Sequence, residues 1–318
     1  MRRILALFTY NALILFCAAL PAYAIAACAS SDSPFQKIAL LLPFAPLFTR
    51  GRLFRNSCNS PVNSKEFSAG KIAAYLLNMD RATERSERIM PRMRQLGFPF
   101  ERIAAVDGNL LSKEKIRSVT DLESYVKYFR MPPEVGTVGC SLSHEKAWRK
   151  FLESDNEFAM IFEDDACFDG AELASLTASL IDKKELWDIV GMELNHRGHP
   201  MKIAELPNGR FLAAYLTDVK HAGCYLINRR AARKLLEKFY PLKMPLDHYY
   251  TSSWEFNLKF AGAEPRPVKQ KFTRSQIKIS PNARVNSVAV RTANAIYLFK
   301  RHTMHAIYNF YYFLSPGK

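Results

Sequence analysis

Residues 158–168 read FAMIFEDDACF: five apolar residues run directly into Glu163, Asp164 and Asp165, after which the chain turns apolar again. A short apolar run bounded by polar residues is the mark of a strand buried on both faces. Three adjacent carboxylates repel one another, so their position at the end of such a strand asks for a cause. Hard cations such as Mg2+ or Mn2+ are held by one or two carboxylates together with phosphate oxygens and water, and a strand end supplies that grouping on a rigid support. The alternative is a strand end whose acids simply face water. The triplet alone leaves both open.

Working outward, the pattern repeats. Residues 71–79 (KIAAYLLNM) form an apolar run that ends at Asn78 and Asp80. DRATERSERIMPRMRQLG follows with helical spacing, Asp80 as its expected N-cap, Gly97 as its stop, and Pro91 expected to kink or shorten it. FERIAAVDG then reads as a second strand running into Asp107-Gly108. Residues 139–154 (GCSLSHEKAWRKFLES) are expected to form the helix before FAMIF, and AELASLTASLIDKKE the helix after it. WDIVGMEL is a further apolar run reaching an acid, Glu193. HAGCYLI is a strand, RRAARKLLEKF a helix beginning near Asn228, and PLDHYY and PRPVKQ complete the body. Strand alternates with helix throughout, which predicts an α/β fold with a mostly parallel sheet flanked by helices. In such sheets ligands bind beyond the C-terminal strand ends, where Asp80, Asp107, Glu163–Asp165 and Glu193 all fall.

The 318 residues carry a formal net charge of +15 and 48% hydrophobic content, enough for a substantial core. The charge is unevenly spread. No acid follows Glu264, whereas ten basic residues do, from Arg266 to Lys318. Residues 296–314 (IYLFKRHTMHAIYNFYYFL) place Tyr297, Met304, Tyr308 and Tyr311 on one flank of a helix, with Ile296, Ile307 and Leu314 beside it. That segment reads either as a membrane-surface helix or as a terminal helix packed on the core with a solvated basic edge. No nucleic-acid-binding motif accompanies the charge, so nucleic acid is not an expected partner.

The N-terminus has a basic start (MRR), an apolar stretch from Ile4 to Leu20, an A-x-A site at residues 22–24 and an IAAC box ending at Cys28. It reads as a signal, a lipoprotein leader or an uncleaved anchor. Residues 50–70 have linker composition. The expected organisation is therefore a targeting segment and linker over 1–67, a catalytic body over 68–273, and a basic aromatic tail over 274–318. Cys140, Cys167 and Cys224 of the body make no disulfide framework. Cys140 and His144, four apart, are two zinc-type ligands without partners, so buried thiols are expected. The phosphate-binding P-loop, the G-x-G-x-x-G fingerprint and H-E-x-x-H are all absent.

Taken in order, IAAYLLNMDRATERSERI, FERIAAVDG, GTVGCSLSHEKAWRKFLES with FAMIFEDD, HAGCYLINRRAARKLLEKF, PLDHYY and PRPVKQ resemble glycosyltransferase family 25 over roughly residues 70–271. The resemblance implies a GT-A-like fold and a nucleotide-sugar donor, UDP-linked. It also implies inversion at the anomeric carbon and a lipooligosaccharide or lipopolysaccharide glycan acceptor, often with galactose as the sugar. On it, Asp165 with Glu163 would hold a divalent metal, and Glu163 and Asp164 would assist it or bind the donor at its ribose. Asn78, Asp80, Arg81, Arg85, Asp107, Ser143 and His144 would line the donor site. Inversion needs a general base; Asp247, beside aromatics that could stack on sugar, is the candidate and Glu193 its rival. The alternative for Asp247 is a helix N-cap. Bacterial nucleotide sugars are cytosolic, so the expectation is a membrane-associated enzyme with its catalytic domain on the cytoplasmic side. Export, or a Golgi lumenal arrangement, stays open. Two other classes remain: an exported non-catalytic surface protein with a degenerate fold, and a nucleotidyltransferase.

Overall fold

The computed structural model describes residues 71–196, 198, 200–270 and 284–316; the leader and linker expected over 1–67, with Cys17, Cys28 and Cys58, lie outside them. The strands are β1 (Ile72–Asn78), β2 (Phe100–Ala104), β3 (Phe158–Glu163), β4 (Ala166–Cys167), β5 (Ile189–Gly191), β6 (Pro200–Glu205), β7 (Phe211–Tyr215), β8 (Cys224–Asn228), β9 (Phe260–Glu264) and β10 (Lys269–Gln270). The helices are α1 (Thr83–Arg94), α2 (Lys113–Val119), α3 (Leu122–Phe129), α4 (Val135–Glu153), α5 (Gly170–Ile181), α6 (Arg229–Glu237), α7 (Leu246–Tyr250), α8 (Ser253–Phe256) and α9 (Val288–Leu314).

Eight strands form one sheet in the order β2-β1-β3-β8-β5-β9-β7-β6, and β4 pairs with β10 in a separate two-stranded ribbon. β1 lies parallel to β2 and β3, and β5 parallel to β9, whereas β8 is antiparallel to β3 and β5, and β7 to β6 and β9. Only β7 and β8 therefore run against the other strands. This is the α/β, helix-flanked and mostly parallel sheet that the GT-A-like expectation called for.

The apolar runs alternate between two cores. Ala73, Tyr75 and Leu77 of β1 face one side with Ala147, Trp148 and Phe151 of α4 and Leu235 of α6. Ile72, Ala74 and Leu76 face the other, with Ile89 and Met93 of α1 and Leu173, Leu176 and Leu180 of α5. Burial on both faces explains why these strands read as continuous apolar runs instead of alternating ones.

Several boundaries differ from the sequence reading. α1 starts at Thr83 with Ala82 at its N-cap, and Asp80 ion-pairs with Arg102 instead of capping it. The helix continues through Pro91 to Arg94; Gly97 follows with φ +72°, the left-handed turn that frees the chain to enter β2. α4 begins at Val135, four residues before Gly139. Of WDIVGMEL only Ile189–Gly191 pairs as strand, so Glu193 sits just past its end.

α9 is a 27-residue helix capped by Ser287, whose hydroxyl accepts from the Val290 N–H. It packs on α3, α8, β6 and β7. Its protein-facing residues are the polar ones, Arg301, His305 and Asn309, with Tyr312, while Ile296, Met304, Ile307, Tyr311 and Leu314 are exposed. Among the described residues no helix is long and apolar enough to cross a membrane.

Candidate active site

β1, β2, β3 and β5 share a direction, so their C-terminal ends lie along one edge. The antiparallel β8 enters at that edge, where the Glu163 N–H donates to Gly223 O at 2.9 Å. A polar network crosses it. Arg102 donates to Asp80 at 2.6 Å and to Asn78 Oδ1 at 2.9 Å. The Asn78 amide donates to Asp164 Oδ2 at 2.8 Å, and Arg85 donates to Asp164 Oδ1, also at 2.8 Å. Arg81 pairs with Asp107 at 2.6 Å, and this hydrogen bond holds the Asp107 carboxyl below its ordinary range. Five of the residues expected at a donor site thus meet, together with Asp164, at the ends of three neighbouring strands. The Arg85 ion pair with Asp164 reaches across the edge from α1 to the end of β3.

Ser143 and His144 act from beneath. The Ser143 hydroxyl donates to Gly139 O at 2.7 Å and accepts from the Val106 N–H at 2.8 Å, so it fixes the A-V-D-G turn against α4. His144 is fully buried, with Nδ1 2.8 Å from the Tyr225 hydroxyl and Nε2 3.3 Å from Glu163 Oε1. Trp148 Nε1–H, a donor only, reaches the same Tyr225 oxygen at 2.9 Å. The Tyr225 proton is then directed to Nδ1, which leaves Nε2–H for Glu163. The Cys140 thiol donates to the same Glu163 oxygen at 3.7 Å. Burial opposes ionisation of Glu163, but these two donors outweigh it and hold its carboxyl below the usual range. Cys140, His144 and Glu163 bring ligand-type atoms within 4.8 Å of one another; here the thiol and the imidazole both bond to Glu163 Oε1 and brace the carboxylate.

Asp165 differs from its neighbours. Gln270 of β10 donates to Oδ2 at 2.9 Å, but Oδ1 is buried without any partner. Burial, reinforced by the charges of Glu163 and Asp164, pushes its carboxyl up to about 6. A buried, unpaired carboxylate oxygen beside a second acid is costly as it stands and suits a hard cation with an all-oxygen shell. The residues present therefore fit a divalent metal at Asp165 and Glu163.

The two expected bases lie close together, joined by a residue the sequence reading overlooked. His221 Nδ1 lies 3.0 and 3.2 Å from the two oxygens of Glu193, and the His221 backbone N–H donates to Asp247 Oδ2 at 3.5 Å. The Glu193 hydrogen bond raises the His221 pKa, and the charges of Asp247 and Glu163 add to it. Glu193 is only 2% exposed and has Arg266 3.9 Å away, whereas Asp247 is partly open. Asp247 sits in the first turn of α7, behind Pro245, so it is not an N-cap. Of its aromatic neighbours, Tyr250 is buried and donates to His221 O, and the half-buried Tyr249 donates to Leu235 O.

His221, Gln270, Arg102, Tyr225 and Trp148 were not singled out as site residues. All five lie within the expected strands, helices and motif segments, but nothing in the spacing of His221 and Gln270 says that a strand reversal or a two-residue ribbon carries them to the acids.

A family model described as "Glycosyltransferase family 25 (LPS biosynthesis protein)" matches residues 71–250. An Aedes aegypti protein named "Glycosyltransferase 25 family member" is 30% identical over 188 residues, 55% of this chain and 30% of its own length. "Procollagen galactosyltransferase 1-B" of Xenopus laevis is 26% identical over 211 residues, 60% of this chain and 34% of its own. The chain thus spans about a third of the length of these curated relatives. Among solved structures, S. aureus TarS 1–349 in complex with UDP-GlcNAc aligns at 13% identity over 78% of this chain and 82% of its own, with a TM-score of 0.37.

Proposed function

The chain belongs to glycosyltransferase family 25, and from that premise we propose that it moves a hexose, galactose, from a UDP-linked donor to a hydroxyl of a lipooligosaccharide- or lipopolysaccharide-type glycan, with inversion. The observation that carries this reading is the unpaired, buried Oδ1 of Asp165 beside the charges of Glu163 and Asp164 at the end of β3. The galactosyltransferase names of its relatives support the sugar, and the family's description supports the glycan.

Asp165 and Glu163 would hold Mn2+ or Mg2+, which, when bound, neutralises charge on the diphosphate as it departs. Cys140 and His144 keep Glu163 ionised for that task. Asn78, Arg85 and Asp164 form the floor beneath the nucleotide, and Asp80, Arg81 and Asp107 its rim. Asp247 takes the proton of the acceptor hydroxyl. The acceptor oxygen then bonds to the anomeric carbon on the face opposite the nucleotide while the bond from that carbon to the diphosphate oxygen breaks, releasing UDP. Glu193, enclosed and doubly engaged, orients His221 and through it Asp247. The same reading assigns the catalytic domain to the cytoplasmic side of a membrane.

A panel of nucleotide sugars with Mn2+ and an oligosaccharide acceptor tests this, with UDP release as the readout. UDP-galactose should give the greatest turnover. Pyrophosphate release, or no release with any nucleotide sugar, contradicts it.

A further inference from the structure

The long terminal helix is built inside out. Arg301, His305 and Asn309 face the body, where Arg301 reaches Ser252 Oγ at 2.7 Å and Asp218 at 3.3 Å, and His305 Nε2 lies 3.1 Å from Thr217 O. The opposite face presents Ile296, Met304, Ile307, Tyr311 and Leu314, between 40% and 65% exposed. At 100° per residue these five fall within one 80° stripe, with Lys300 in its middle and exposed. The helix is thus anchored by polar contacts while its apolar stripe has no covering among the described residues.

Charge indicates what covers it. From Arg266 to the end of the chain there are ten basic residues and no acid. A second protein surface that accepted an apolar stripe would not in general need that excess, whereas a bilayer with anionic headgroups matches both features. Apolar side chains and Tyr311 enter the interface, and Lys300 extends its stem along it while its ammonium stays among the headgroups. We propose that the outer face of α9 docks the protein on an anionic lipid surface, lying in its plane and not spanning it. The buried side of the helix then conveys position to the site: Arg301 also donates to the carbonyl oxygen of His248, next to Asp247, at 3.3 Å. The inference is independent of the reaction assigned to the site.

Flotation of the full chain with vesicles of phosphatidylcholine, with and without 30% or so phosphatidylglycerol, tests it. The full chain should float with the anionic vesicles, and Ile307→Glu with Tyr311→Glu should reduce the partition coefficient about tenfold or more. Lys300→Glu should reduce binding to anionic vesicles only. Both positions are exposed, so an unchanged melting temperature is the control for folding. Equal flotation of the double variant would assign lipid binding to residues outside α9 and overturn the proposal. So would a chain that ignores vesicles but forms a dimer that the double variant loses.

Discussion

Asp165 is where the chemistry of the site can be read from one side chain. Its carboxyl titrates at about 6, above the ordinary 3.8, because burial and two neighbouring acids disfavour its charge. The folded protein therefore holds a proton that the unfolded chain releases, and this group lowers stability as pH rises from about 3.8 to 6. A cation removes that cost by replacing the proton. Millimolar Mn2+ should raise the melting temperature more at pH 7.5 than at pH 5, and Asp165→Asn should abolish the shift without lowering the metal-free melting temperature. An undiminished shift in that variant would remove Asp165 from the cation site. For the base, Asp247→Asn should lower kcat by about 10²–10⁴-fold. Glu193→Gln should act chiefly by moving to lower pH the limb at which His221 loses its proton, since the Glu193 hydrogen bond raises the His221 pKa. Steady-state profiles of both variants separate the roles, and equal losses with the same profile would contradict the assignment. The acids were legible because three are adjacent and the others close apolar runs. His221 was not, since a single histidine at φ +77° before a reversed strand has no periodic signature.

Among the elements, α4 and α9 show opposite ways of reading a helix. α4 was legible from Gly139 onward but not its first turn, and in the structure Gly139 marks a close approach: a methyl group there would lie 2.6 Å from Val106 O and 2.8 Å from Gly108 N. Gly139→Ala should cost about 1–3 kcal/mol, a fall of several degrees in melting temperature, and should loosen Asp107 through the turn it presses on. A melting temperature within a degree of wild type would show that the turn yields freely. In α9 the apolar flank was visible, yet the side that meets the body is polar. Asp218, Thr217 and Ser252 chose it, and no single-sequence period reveals such distant partners. Burial there pushes His305 down to about 4, and His248 likewise to about 4. The unfolded chain takes up these protons near 6.5, so the stability these residues lend is full above that pH and declines as pH falls towards 4. The slope is up to about 1.4 kcal/mol per pH unit for each. Denaturant unfolding at pH 7 and pH 5 should show the loss, and His305→Gln should flatten it; an unchanged slope would place the titration elsewhere.

For the molecule as a whole, the order of β-α-β segments carried the fold class, because strands buried on both faces must be covered by helices on both sides. Strand order was beyond reach. The reversal of β8 between β3 and β5, and the pairing of β10 with β4, are long-range choices made by two packed cores, yet they carry His221 and Gln270 to the acids. The account therefore rests on an edge where separate strands deliver oxygen ligands to one place. Calorimetric titration of the purified chain with UDP, with and without Mn2+, tests this most directly. The account predicts one UDP per chain, bound tightly only with the metal, and binding lost in Asp165→Asn while the fold remains. Equal affinity without metal, or unaltered binding in that variant, would contradict it.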